Sequence, residues 1–296
     1  MSESPNAALV TGASGFLGRS LVARLRALDR TVVTPERSAG FELMRDELDL
    51  SGVDHVYHLA ARTFVPDAWK DPVGFHLVNA HGVMRVLEQC RKANCSMTYV
   101  SGFVYGNPEK LPISESDPVR PSNPYAFSKF AGEQACRFYA EAFGMNVSIV
   151  RPFNIYGPEQ GSHFLLPIIV NQVVDPDVRE VVVKDLAPRR DYIYIDDVIT
   201  GILAASASPQ AAVFNIGSGH SLSVSEVIDA AFRAAGVSKP VRSTQDVRSN
   251  EIMDAVADVT SLKGTGWKPT VTFDQGMRAM VAAARVRLAA SHERGA

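Results

Sequence analysis

Short apolar runs recur along the first half of the chain at 7–11, 31–35, 55–59, 96–101 and 146–152, each bounded by turn residues. Runs of this length without polar alternation predict strands buried on both faces. Helix-length patterns lie between them at 16–27, 72–93 and 125–143. Such alternation predicts an α/β fold with a doubly wound parallel sheet, helices covering both sides. The stretch 38–53 is the least regular and has room only for abbreviated elements. After Pro152 the rhythm changes, with loop-rich chain at 157–162 and 184–190. The pieces 191–195 and 213–216, separated by a helix over 196–207, read as a return to the main sheet. A helix over 223–235, irregular chain to about 256 and a last helix over 273–287 follow, and the polar end at 290–296 is expected to fray. This division gives residues 1–153 and about 191–216 to the sheet domain, and about 154–190 and 217–296 to a smaller, interleaved C-terminal domain.

With 296 residues and 46% hydrophobic composition the chain can bury a large core. A net charge of −2, with no large excess of either sign, gives no sign of a polybasic surface for nucleic acid or an anionic membrane. No apolar stretch approaches a bilayer span, and the best one, 164–170, is broken by Pro167. Cys90, Cys95 and Cys136 are odd in number and form no C-x-x-C pair, so neither disulfides nor a metal site is expected. Polar residues 1–6 give way at once to the first strand, so no secretory leader is expected. Idle thiols and no leader together predict a cytoplasmic protein.

The first strand runs into Thr11-Gly12-Ala13-Ser14-Gly15-Phe16-Leu17-Gly18, a glycine-rich turn that opens a helix. Gly12 and Gly15 allow a sharp turn and close approach to a pyrophosphate, and Gly18 allows the helix to pack tightly on the strand. The helix N-terminus offers N–H groups and partial positive charge to the phosphates. The spacing is G-x-x-G-x-x-G, and a glycine triplet alone also suits a plain turn. Its place at the first strand–helix junction of an alternating domain makes it a Rossmann-type dinucleotide site, with Ser14, Phe16 and Leu17 in the same turn. An acidic residue normally closes the second strand of such folds and binds the adenosine ribose. Glu36 stands there, followed by Arg37. Glu36 favours NAD by repelling a 2′-phosphate, whereas Arg37 would welcome NADP; NAD is the expected cofactor, with NADP as the alternative.

Tyr125 and Lys129 stand at i and i+4 of a helix pattern, on one face and one turn apart. A nearby ammonium favours the phenolate, so this spacing predicts a lowered tyrosine pKa and a general acid/base for an alcohol or ketone. Such pairs are common by chance. Ser101 adds weight, because it closes a predicted strand, where the carboxyl ends of a parallel sheet face the ligand crevice.

With these residues in view, the chain resembles the extended short-chain dehydrogenase/reductases, in their nucleotide-sugar epimerase/dehydratase group. The matching pieces run nearly end to end: the glycine turn, His58-Leu59-Ala60-Ala61, Asn79, the run from Ser101 to Gly106, and Tyr125 to Lys129. Arg151-Pro152-Phe153-Asn154-Ile155-Tyr156-Gly157-Pro158, Arg190-Asp191-Tyr192, Asp196-Asp197, Phe214-Asn215-Ile216-Gly217 and Gly266-Trp267-Lys268-Pro269 continue the series. The resemblance implies that Tyr125 is the acid/base, that Lys129 binds the nicotinamide ribose and tunes Tyr125, and that Ser101 holds the sugar oxygen. It implies that Leu59, Ala60, Ala61 and Asn79 line the cofactor. It offers Thr63, Phe103, Asn154, Arg190 and Arg248 as contacts of a nucleotide-diphosphate sugar, with Asn154 and Arg248 on the diphosphate; His163, beside the expected substrate loop, is a candidate to contact the sugar or shuttle a proton. Asp196, Asp197 and Trp267 read as structural. Relatives of this kind pair into homodimers through two long helices, here 72–93 and 125–143.

In the family's 4,6-dehydratases the segment matching Gly102-Phe103 carries an acidic pair that drives loss of water. Neither residue here titrates, which disfavours dehydration and leaves oxidoreduction at C4. A 4-epimerase would oxidise and re-reduce with one bound cofactor, and a 4-keto-6-deoxy-sugar reductase would take hydride from exchangeable NAD(P)H. Ser101, Tyr125 and Lys129 serve either. Asp185-Leu186-Ala187-Pro188-Arg189-Arg190-Asp191 is similar to a stretch of GDP-mannose dehydratases and their partner keto-reductases, which favours the reductase and a role in deoxysugar or polysaccharide precursor synthesis. A non-catalytic NAD(P)-sensing relative would keep the glycine turn and lose the Ser/Tyr/Lys set that this chain retains.

Overall fold

Burial on both faces removes any need for polar alternation, and the apolar runs of the first half form strands with only small shifts at their ends. The computed structural model describes residues 7–208, 212–246 and 251–295. Its strands are β1 (Ala7–Thr11), β2 (Thr31–Val33), β3 (Val53–His58), β4 (Ser96–Val100), β5 (Val147–Pro152), β6 (Asn154–Tyr156), β7 (Val181–Val183), β8 (Arg189–Tyr194), β9 (Val213–Ile216), β10 (Ser221–Ser223) and β11 (Val241–Ser243). Its helices are α1 (Phe16–Arg26), α2 (Val65–Lys70), α3 (Pro72–His76), α4 (Gly82–Ala93), α5 (Pro124–Phe143), α6 (Leu165–Val174), α7 (Ile195–Ser206), α8 (Val224–Ala235), α9 (Thr260–Lys263) and α10 (Phe273–Gly295). A π turn at Leu77–His81 joins α3 to α4. The irregular stretch before β3 holds only a 3-10 turn, Arg37–Ala39.

The main sheet is parallel throughout, in the order β2-β1-β3-β4-β5-β9. The return to it expected at 191–195 does not occur. β8 pairs in parallel with β6 and antiparallel with β10, in a separate sheet. Only Phe153 separates β5 from β6, so the chain leaves the main sheet just after Pro152, and β8 follows the strand it pairs with. α7 then packs on α1 and brings the chain back to β9.

The second sheet and α6, α8 and α10 enclose their own core, including Tyr156, Ile169, Val170, Val227, Ile228 and Met277. The C-terminal part does not stay wholly with this lobe. Ala255, Ala257, Val259, Leu262 and Trp267 bury themselves in the core of the main sheet. The Asp191 carboxylate explains the crossing, because it accepts from Ser218 N at 2.7 Å, Gly219 N at 3.0 Å and Ala257 N at 3.0 Å. Asp197 is structural as expected, accepting from Thr270 N at 2.9 Å and Val271 N at 3.0 Å. The last helix extends past the expected end at 287, to Gly295. Among the described residues no helix is long and apolar enough to cross a membrane.

Two histidines sit inside β3. His55 bonds Ser96 Oγ at 2.7 Å and Thr98 Oγ1 at 2.9 Å, and His58 bonds Thr11 Oγ1 at 2.8 Å. Burial holds His55 down at about 4 and His58 down at about 3, with the charges of Arg30 and Lys129 adding to the effect. Both are neutral when folded, whereas the unfolded chain protonates them near an ordinary pKa of about 6.5. Unfolding therefore takes up protons in acid, so stability is full above about pH 6.5 and falls as pH drops toward the folded values. Each histidine contributes a slope of up to ~1.4 kcal/mol per pH unit. His55→Asn should flatten the fall in urea midpoint between about pH 6.5 and about pH 5 by roughly one proton. An unchanged slope would show that His55 is not a source of the acid sensitivity.

Candidate active site

The strand order reverses at β1, with β2 on one side and β3 on the other. In a parallel sheet such a switch opens a crevice beyond the carboxyl ends of the strands. Gly12 ends β1 there with φ +72°, a conformation glycine holds without strain. A Cβ at Gly12 would come within 2.8 Å of Ala60 N, so the glycine turn and the loop after β3 meet backbone to backbone. Leu59 N donates to Thr11 O at 3.3 Å, and Ala60 N to Thr11 Oγ1 at 3.2 Å. Gly18 packs directly on the backbone of Gly12 and Ala13. α1 starts at Phe16 with Gly15 before it and no side chain capping its N–H groups, and Ser14 is exposed beside it. An uncapped helix N-terminus at the crevice fits a pyrophosphate. Gly12, Ser14, Gly15, Phe16, Leu17 and Gly18 would hold that part of a dinucleotide, with Leu59, Ala60 and Ala61 along its side.

Glu36 follows β2 and accepts from Ser38 Oγ at 3.1 Å, while Arg37 starts the 3-10 turn. Asn79 lies in the π turn, fully buried. Its Oδ1 accepts from Arg62 N at 2.8 Å, and its Nδ2 donates to Arg62 O and Ser128 Oγ, both at 2.9 Å. Both amide hydrogens are thus committed to the chain, and Asn79 clamps the loop after β3 to α5 rather than facing the crevice with its donors.

The ends of α5 are set locally. Asn123 accepts from Ala126 N at 2.9 Å, Pro124 occupies the first position, and Gly144 closes the helix at φ +65°. Tyr125 falls in the first turn and Lys129 one turn on, against β4. The approach is close, since a Cβ at Gly132 would lie 2.6 Å from Tyr99 Oη. Lys129 Nζ donates to Val100 O at 2.6 Å and stands 4.5 Å from the centre of the Tyr99 ring. Tyr125 Oη lies over Gly102, where a Cβ would be only 2.9 Å away. Ser101, just after β4, donates its Oγ proton to Glu133 Oε1 at 2.6 Å.

The structure thus brings Ser101, Tyr125 and Lys129 to one end of β4, but the expected tuning is reversed. Burial pushes the Tyr125 phenol up to about 12. The i, i+4 spacing places Lys129 on the right face, yet its ammonium turns to the Val100 carbonyl and the Tyr99 ring. Burial also brings Lys129 down to about 7, against an opposing pull from Glu133.

The expected substrate contacts fare unevenly. Thr63 is exposed on the loop after β3. Phe103 packs edge-on against Phe153 and Tyr105, at ring separations of 5.2 and 5.7 Å. Asn154 opens β6 and donates to Asp191 O at 3.3 Å. His163 is exposed and packs edge-on against Phe64, ring centres 4.7 Å apart, and tilted against Phe164 at 4.3 Å, so it touches the loop that carries Thr63. Arg190 departs from expectation. Its guanidinium is tied to the Arg189 and Ile252 carbonyls and to Glu251, which fastens the 251–252 segment to β8. Arg248 lies outside the described residues.

Sequence reasoning gave no role to Glu133 and Arg151, which form a fully buried ion pair at 2.5 Å directly behind Ser101. The signal was present, because Tyr125, Lys129 and Glu133 repeat at intervals of four on one helix face.

The model of the NAD dependent epimerase/dehydratase family matches residues 8–217. A GDP-6-deoxy-D-mannose reductase of Pseudomonas aeruginosa is 32% identical over 290 residues, spanning 92% of this chain and 95% of that protein. A UDP-glucose 4-epimerase of Mycolicibacterium smegmatis is 30% identical over 299 residues, spanning 91% and 95%. Among solved structures, RMD from Pseudomonas aeruginosa complexed with NADPH matches with a TM-score of 0.86 at 29% identity, covering 95% of this chain and 99% of that one. The Thermus thermophilus UDP-glucose 4-epimerase in complex with NAD matches at 0.81, again with 29% identity, covering 94% and 99%. The chain, with its glycine turn, parallel sheet and Ser/Tyr/Lys cluster, belongs to the NAD dependent epimerase/dehydratase family.

Proposed function

We propose that this chain is an NAD(P)-dependent oxidoreductase acting at C4 of a nucleotide-activated sugar, with reduction of a 4-keto-6-deoxy sugar as its first reading. The observation that carries it is Tyr125 Oη lying over Gly102, on the same edge of the sheet as the uncapped glycine turn. A bound nicotinamide supplies hydride to the sugar carbon. Tyr125 supplies the proton to the sugar oxygen, and with its phenol up at about 12 it carries that proton at neutral pH. Ser101 stands beside the same oxygen, its own proton turned to Glu133. Lys129 stays anchored on Val100 O and would meet the cofactor ribose from there. Thr63, Phe103, Asn154 and His163 surround the sugar and its diphosphate in this reading, and Arg248 joins them on sequence grounds alone.

Several observations favour this chemistry over its rivals. Gly102 and Phe103 carry no acid for eliminating water, and a side chain at Gly102 would press on the phenol, with its Cβ 2.9 Å from Tyr125 Oη. The stretch 185–191 and the reductase relative from Pseudomonas aeruginosa favour a one-way reduction. The epimerase relative at 30% identity keeps 4-epimerisation as the second reading. The assembled Ser/Tyr/Lys cluster argues against a purely sensing protein. The buried, unpaired cysteines fit a reducing cytoplasm. Val73, Leu77 and Met84, with Phe127 and Phe138 of α5, leave an exposed apolar face on packed helices, which suits pairing with a second copy.

A panel of nucleotide sugars and their 4-keto forms, assayed with and without NAD(P)H, tests the reading. Stoichiometric loss of reduced coenzyme is the expected outcome; product without net redox change would instead establish the epimerase, and turnover of neither would overturn both. Tyr125→Phe should lower turnover by about a hundredfold or more while the coenzyme still binds. Gly102→Ala should push the phenol aside and lower kcat by roughly tenfold or more with little change in coenzyme affinity. Near-parental kcat would show that the close contact at Gly102 does not place Tyr125. Phe138→Glu should halve the mass seen by sedimentation if this face joins two copies, and an unchanged mass would assign the face elsewhere.

A further inference from the structure

We propose that Glu133 is a positioning residue that fixes the direction of the Ser101 hydroxyl, so that Ser101 meets the sugar oxygen only as a hydrogen-bond acceptor and favours the hydroxyl over the keto form of the substrate. This rests on the C4 oxidoreductase reading. Ser101 Oγ lies 2.6 Å from Glu133 Oε1, with both residues buried. Behind Glu133 stands Arg151, fully buried and always charged. Its Nε donates to Oε1 at 2.9 Å and to Oε2 at 3.2 Å, and its Nη2 to Oε2 at 2.5 Å. A guanidinium with no water around it needs an anion, so Glu133 is a carboxylate and offers acceptor sites only.

A serine hydroxyl has one proton. With an acidic oxygen at 2.6 Å, that proton lies on the line to Glu133, and only lone pairs remain for other partners. The carboxylate cannot easily swing away, because Arg151 is itself held. Its Nη1 donates to Tyr105 Oη at 2.9 Å, and Tyr105 Oη donates to Asn215 Oδ1 at 2.6 Å.

The consequence is a preference between redox states. A sugar hydroxyl can donate to Ser101 Oγ, and a keto oxygen has no proton to give. The keto oxygen is met by Tyr125, whose Oη lies over the next residue, Gly102. On reduction the carbonyl carbon gains hydride and its oxygen gains the Tyr125 proton. The new O–H is then the donor that Ser101 accepts. Ser101 therefore draws the bound equilibrium toward the alcohol.

Two dead-end complexes test this without turnover: hydroxy-sugar nucleotide with reduced coenzyme, and keto-sugar nucleotide with oxidised coenzyme. GDP-6-deoxy-D-mannose and its 4-keto form are the first probes, replaced by whichever pair the panel identifies. Affinities are measured by calorimetry, each variant against the parent in the same complex. Ser101→Ala should weaken the hydroxy ligand about tenfold and the keto ligand less than about twofold. Ser101→Thr should restore the preference. Glu133→Gln, whose amide can donate to Ser101, should free the serine proton and bring the two effects together. Because that variant leaves Arg151 without its anion, Glu133→Gln combined with Arg151→Met, which removes both charges, is measured beside it, and the Ser101 series depends on neither. Equal or greater loss of the keto ligand in Ser101→Ala, or a preference that survives in both Glu133 variants, would overturn the proposal. Failure of the parent to bind either form would instead overturn the C4 reading on which it rests.

Discussion

The fully buried ion pair between Glu133 and Arg151 organises the end of the sheet where the crevice opens. It joins α5 to β5 and, through Ser101, to the end of β4. Through Tyr105 and Asn215 it reaches β9, where Asn215 Nδ2 donates to Ile113 O at 2.9 Å and Asn215 N to Glu115 Oε1 at 2.7 Å. A buried pair of this kind is weak evidence of net stability, because desolvation offsets most of the attraction. Removing one partner is another matter, costing about 3–5 kcal/mol by leaving the other charge unpaired. The pair therefore acts as a specification: several elements must arrive in one arrangement before either charge can be buried at all. A network whose members all have partners behaves as a unit, which is what a site built from separate elements requires.

Burial, more than neighbouring charge, sets the electrostatics of the site. It drives Lys129 down to about 7 and Tyr125 up to about 12. The sequence shows two residues four apart on a helix, and that spacing guarantees a shared face. It does not guarantee that one end group points at the other. A lysine stem is long enough to reach the Val100 carbonyl across the helix–sheet interface, and a buried ammonium takes the acceptor that is there. The same limit explains Arg190, for which the family resemblance suggested a ligand contact but whose guanidinium is claimed by the 251–252 segment.

The main sheet was readable because its inner strands, β1, β3, β4 and β5, are largely buried on both faces and announce themselves as short, mostly apolar runs. Partnership was less readable. β8 is as apolar as a main-sheet strand over Tyr192–Tyr194 in part, with Ile193 buried, yet it belongs with β6, and nothing inside the run names its neighbour. The glycine turn was legible for a different reason: Gly12 has to pass Ala60 with no room for a side chain, so the residue type records the contact. Ser101 and Tyr125 were found by motif and strand end. Glu133 stands on the same helix face but carries no motif of its own, and its partner is 18 residues away in sequence on another element.

Gly102 shows how packing can narrow chemistry. An acid at this position would serve elimination of water, but its Cβ would stand 2.9 Å from the Tyr125 hydroxyl, which would have to shift to admit it. The phenol can approach the end of β4 this closely because the chain there has no side chain. With Phe103 locked edge-on between Phe153 and Tyr105, the following position does not bring a titrating group either. The end of β4 is left with one hydroxyl whose proton is committed to Glu133 and one phenol whose proton is held tightly by burial. That pairing suits delivery of a single proton to a carbonyl oxygen. It does not suit removal of a proton from carbon, which needs a base with an open lone pair and a pKa within reach of neutrality.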